Sequence, residues 1–67
     1  MDVRRRVGLQ VKRLREAKAW SQEEFADRAG LHRTYVSGIE RGVRNPTLTV
    51  LEKLADALGI TMAELVV

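Results

Sequence analysis

QEEFADRAGLHRTYVSGIER, residues 22–41, decides the fold of this 67-residue chain. Its apolar residues fall at Phe25, Ala29, Leu31, Val36 and Ile39, with the small Ala26 and Gly30 between them. Ser21 opens a capping box ahead of the stretch: its hydroxyl accepts from the Glu24 amide, and the Glu24 carboxylate returns to the Ser21 amide. Trp20, one residue earlier, is placed to staple onto Phe25. Gly30 stops the helix with a left-handed residue. The spacing therefore predicts a helix over 22–29, only two turns and unable to stand alone in water. A further short helix runs from about His32 to Arg41, with Val36 and Ile39 on its buried side and Gly42 ending it. Ala26 is small so that this helix can cross close over the one before it.

Outward from that window the chain stays helical. Val3, Val7, Val11 and Leu14 recur at spacings of four, four and three, the stripe of an amphipathic helix over about 3–18. Leu9 lies off that stripe and is expected in solvent. After Gly42, the loop Val43-Arg44-Asn45-Pro46 leads to Thr47 as a cap. Leu48, Leu51, Leu54, Ala55 and Leu58 then give a fourth helix its apolar face, closed by Gly59. Thr61-Met62-Ala63-Glu64 is a second capping box, opening a short fifth helix through Leu65 and Val66. No segment alternates with period two for long enough to argue a strand. The expectation is one all-α domain over residues 1–67: five compact helices, with residues 22–41 spaced as a helix-turn-helix, whose second helix enters a DNA major groove.

Composition narrows the function. The chain has no cysteine and one histidine, His32, which excludes disulfides, thiolate metal sites and multi-histidine metal sites. His32 reads as a surface residue at a helix start. Glu23 and Glu24 sit in a first helical turn, where the macrodipole favours them as caps rather than as an acid–base pair. With no nucleophile beside a base and too little chain for a pocket, the inventory argues against an enzyme and against any cofactor. No apolar run approaches the roughly 18 residues of a membrane span, and no secretory signal is visible, so a cytoplasmic protein without a membrane partner is expected. Net charge is +3. Residues 1–34 carry nine Lys/Arg against five acids, and residues 35–67 three against four. A basic half beside a near-neutral one suits a polyanionic partner on one side and packing or association on the other. Arg4-Arg5-Arg6 reads first as a solvated face, and second as an arm along DNA.

SQEEFADRAG followed by LHRTYVSGIERGVRNPTLTVLEKLADALGI resembles the phage-repressor (Cro, XRE-type) helix-turn-helix family over about residues 7–65. RTYVSGIERGVRN further resembles the small controller proteins of restriction–modification systems. The resemblance implies a lambda-repressor-like five-helix domain, a transcriptional regulator binding double-stranded operator DNA as a homodimer on a two-fold site. It implies Arg33 and Thr34 at base edges, where an arginine can bond guanine O6 and N7 bidentately. Tyr35 and Ser37 then help read or grip the site. Gln22 donates to phosphate at a helix start, and Arg41, Arg44 and Asn45 are further phosphate contacts. Arg15 and Glu40 match a salt bridge between the first and third helices. Gly38 departs from the pattern, since other phage repressors extend a base-reading side chain there. The last helix is also shorter than in controller proteins, which implies a weak dimer or a bare DNA-binding domain. The apolar residues left for that dimer are Ile60, Met62, Leu65, Val66 and Val67. A protein-interaction module that keeps the fold without reading DNA stands as the alternative. Its weakness is that an interaction helix would expose more apolar residues than the third helix does.

Overall fold

The computed structural model describes residues 2–66, which form α1 (Val3–Ala17), α2 (Gln22–Ala29), α3 (Arg33–Glu40), α4 (Leu48–Leu58) and α5 (Met62–Val66). Each start has a local cause. The Asp2 carboxylate accepts from the Arg4 amide at 2.8 Å. Ser21 Oγ accepts from the Glu24 amide at 3.0 Å, and Thr47 Oγ1 from the Val50 amide at 3.2 Å. Thr61 and Glu64 make the full reciprocal box, each amide donating to the other's side chain at 3.3 Å. The box at Ser21 closes on one side only. The Glu24 carboxylate turns instead to Arg28, one helical turn on, at 2.9 Å. His32 precedes α3 without a side-chain cap bond. Gly30 takes φ 70 at the end of α2, a conformation in which a Cβ would crowd the following carbonyl.

Val7, Val11, Phe25, Ala26, Ala29, Val36, Ile39, Leu54, Ala55, Leu58 and Leu65 make one core. Every helix contributes to it. Trp20 stacks on Phe25 with ring centroids 5.9 Å apart, the staple expected from sequence, and Arg28 and Lys18 lie over its ring at 4.4 and 5.4 Å from the centroid. Leu9 is exposed, as its position off the stripe requires. Two stripe residues are not where periodicity puts them. Val3 is exposed, and Leu48 is 76% exposed. Both lie in the first turn of a helix that projects beyond the shared core, so the correct face meets no neighbour.

α3 is held by α1 on one side and α2 on the other. The α1 contact is close because Gly8 has no side chain. A Cβ there would collide with the Ile39 carbonyl oxygen and stand 2.9 Å from that of Glu40. Glycine inside a helix costs about 1 kcal/mol relative to alanine, and here it allows backbone to meet backbone.

Candidate nucleic-acid interface

The inner anchor of α3 is ionic. Arg15 and Glu40 are both buried, and the guanidinium meets the carboxylate in a two-point fork, Nε to Oε2 at 2.7 Å and Nη2 to Oε1 at 3.0 Å. Arg15 Nη1 also donates to the Trp20 carbonyl at 2.7 Å, which ties down the loop between α1 and α2. The Glu40 hydrogen bond raises the Arg15 pKa above its ordinary value. No buried side-chain polar atom among the described residues lacks a partner. The pair expected from the family resemblance is thus present, and it extends further. Gln22 Nε2 donates to Glu40 Oε1 at 3.1 Å, so the first residue of α2 is bonded to the last residue of α3.

The outer face of α3 is polar. Arg33 and Thr34 are exposed in its first turn, Tyr35 and Ser37 are half-buried, and Arg41, Arg44 and Asn45 are exposed beyond its last turn. Arg33 borders a shallow groove at the start of α2, with Ser21, Gln22, Glu23, Glu24 and Asp27. Glu23 and Asp27 make no salt bridge among the described residues, so carboxylates flank the arginine at the head of α3. Arg44 folds back along α3, its Cζ 5.9 Å from the Tyr35 ring centroid. Among the expected DNA-facing residues, Gln22 has its side chain hydrogen-bonded inward through its amide nitrogen, and its carbonyl oxygen makes no hydrogen bond to a described residue.

The expected dimer seam needs one correction. Leu65 is fully buried in its own chain, because α5 turns back to pack against α1 and α4. The Gln10 amide secures that return through the Glu64 carbonyl at 3.2 Å. Leu65 is therefore core and presents nothing to a second copy. Met62 and Val66 are 40% and 37% exposed, and Ile60 is half-buried. Val67 lies outside the described residues.

Arg4 pairs with Asp2 at 2.9 Å on the surface, and the hydrogen bond from Arg4 draws the Asp2 carboxyl down to about 2. The bridge pairs one of the three arginines of the Arg4-Arg5-Arg6 run at the protein surface. Among the described residues no group of carboxylates or histidine could hold a metal ion, and no helix is long and apolar enough to cross a membrane.

Two short helices locked across a left-handed glycine, the second with its inner face buried and its outer face polar, define a helix-turn-helix domain. Residues 11–65 match the Helix-turn-helix family HTH_3. Control protein C.MunI from a Mycoplasma species is 49% identical over 65 residues, 96% of this chain and 88% of that protein. The restriction–modification controller C.AhdI from Aeromonas hydrophila has a crystal structure that matches with TM-score 0.90 at 47% identity, covering 92% of this chain and 94% of the other. The biofilm master regulator SinR, solved in complex with DNA, matches with TM-score 0.84 at 35% identity over 88% of this chain and 95% of its own. The chain belongs to the XRE-type helix-turn-helix family, whose members are transcriptional regulators and controller proteins, not enzymes.

Proposed function

We propose that this chain is a transcriptional regulator of the restriction–modification controller type, which reads duplex operator DNA with α3 and binds it as a two-fold homodimer. The observation that carries this is the division of α3: Val36, Ile39 and Glu40 are buried, while Arg33 and Thr34 face solvent at its start and Arg41 follows at its end. No large apolar side chain among residues 33–41 is exposed, which favours DNA over a protein-binding helix. Arg33 and Thr34 are the base-reading residues. Tyr35 and Ser37 support them, and Gln22, Arg41, Arg44 and Asn45 grip phosphates. For Gln22 this means exchanging its bond to Glu40 for one to the DNA, or using the helix-start amides beside it.

One recognition helix reads only a few base pairs, too few to stand out among genomic sites. A two-fold dimer sets two such helices about 34 Å apart on one DNA face. Exposed Met62 and Val66, with Ile60 beside them, supply the apolar seam, in the near-neutral half of the chain. Such a regulator works where the DNA is, in the cytoplasm. Selection of bound sites from random duplexes, followed by gel shifts against single-stranded DNA and RNA competitors, tests the reading. A palindromic consensus bound in preference to both competitors is expected. Equal binding to random duplex and RNA overturns it.

A further inference from the structure

Gly38 lies within α3 and is buried. Its backbone does not ask for glycine, since the left-handed glycines are Gly30, Gly42 and Gly59. Glycine inside a helix lowers helix stability, so its presence here needs another cause. The space beside it is filled by Arg44. A Cβ at position 38 would stand 2.5 Å from Arg44 Cγ, 3.4 Å from Nε and 3.5 Å from Cδ. The Gly38 carbonyl also accepts from the Val43 amide at 3.0 Å and the Arg44 amide at 3.3 Å. The loop after α3 is therefore fastened to Gly38 by its backbone, and the Arg44 stem lies in the gap left by the missing side chain. From there the guanidinium reaches the Tyr35 ring, one turn toward the start of α3. Arg44 has no carboxylate partner among the described residues.

We propose that Gly38 is a positioning residue: it seats Arg44 along α3, so that this free cation, drawn from the following loop, occupies the surface a side chain at 38 would otherwise hold. The surface above residue 38 is thus given to an arginine six residues later, placed to meet a phosphate. The ring of Tyr35 restrains the guanidinium, which cuts the rotamer freedom lost on contact with a ligand. The inference rests on the proposed DNA reading for its ligand, but the seat itself exists in the free protein.

Two measurements separate these. In DNA-free protein, NMR should show strong cross-relaxation between the Gly38 α-protons and the Arg44 γ-protons, and weaker contacts from the Arg44 side chain to the Tyr35 ring. Gly38→Ala should abolish the ring contacts while leaving the melting temperature equal or higher, because helix propensity improves. On the selected duplex, Gly38→Ala should lower the slope of log affinity against log salt by about 0.9, the loss of one phosphate contact. Gly38→Ala should then have no further effect in an Arg44→Ala background. Should the single variant fail to fold, the double variant regains the fold, since the clash partner is gone. An unchanged salt slope, an equal loss in the Arg44→Ala background, or absent Gly38–Arg44 cross-relaxation overturns the inference. A parent that binds no duplex overturns the DNA reading instead, and the NMR contacts alone then decide the seat.

Discussion

Glu40→Ala strands a guanidinium. Arg15 is buried and gives two of its donors to Glu40, at 2.7 and 3.0 Å, and a third to the Trp20 carbonyl. The variant keeps the charge and its desolvation but removes the carboxylate that neutralises it. Breaking a buried pair on one side costs about 3–5 kcal/mol. The Gln22 amide loses its partner as well, although water can reach that half-buried residue. A chain of 67 residues has roughly 3–10 kcal/mol of total stability at about 0.05–0.15 kcal/mol per residue. At about 4–8 °C per kcal/mol for a domain of this size, the melting temperature should fall by at least about 12 °C, or the chain should not fold at 25 °C. Circular dichroism at 222 nm, roughly the helix band, measures this against the parent. The apolar pair Arg15→Met with Glu40→Leu should recover most of the loss, since no charge is then left buried. A shift of only a few degrees for Glu40→Ala would refute the reasoning, because it would mean that solvent solvates Arg15 in the folded state.

Arg33→Ala should weaken binding to the selected duplex by about 1–3 kcal/mol and relax preference at one base position, read by repeating the site selection. Leu65→Glu should unfold the chain, whereas Val66→Glu should leave the melting curve near the parent's and shift the proposed dimer to monomer; sedimentation equilibrium with parallel melts separates the two. Ala19 holds φ 60 in the α1–α2 loop, a conformation that costs a residue with a Cβ about 1–2 kcal/mol, so Ala19→Gly should stabilise by about 1 kcal/mol in denaturant titration. The Asp2 carboxyl is held down from 3.8 to about 2, so its contribution is present above pH 3.8 and is lost as pH falls through about 2. An NMR titration of Asp2 should place its midpoint near the lower value, and Arg4→Ala should return it toward 3.8.

The local devices were legible because each is written within a few residues. Ser21, Thr47 and Thr61 cap as their neighbours require, and Trp20 meets Phe25 across a single turn. What failed depended on distance. Periodicity assigns Leu48 to the correct face of α4, but how far the core extends along that face is set by α2 and α5. Leu65 looked free because a short terminal helix gives no sign of its path, and its return onto α1 and α4 is a tertiary fact. Of the candidate interface, the charged and polar residues around α3 came from the family resemblance, and spacing alone marked only which face of α3 is buried. The Gln22–Glu40 bond joins residues 18 apart and has no local signature. Gly38 could be seen as a gap in a pattern, but what fills the gap depends on the route of the loop. Gly8 does leave a trace in the sequence: a glycine beside Val7 in an otherwise strong helix signals a close neighbour.

Packed helices usually slide over one another by repacking a layer of side chains, and that layer is what makes small shear motions cheap. At Gly8 the layer is missing. The α1 backbone rests directly on the Ile39 and Glu40 carbonyls, which have no rotamers to change, and the Arg15–Glu40 fork pins the same crossing two turns further along α1. α1 and α3 therefore turn as one rigid body. The orientation of α3 is settled when the chain folds, and the freedom that a loosely held helix would surrender on meeting a ligand has already been given up.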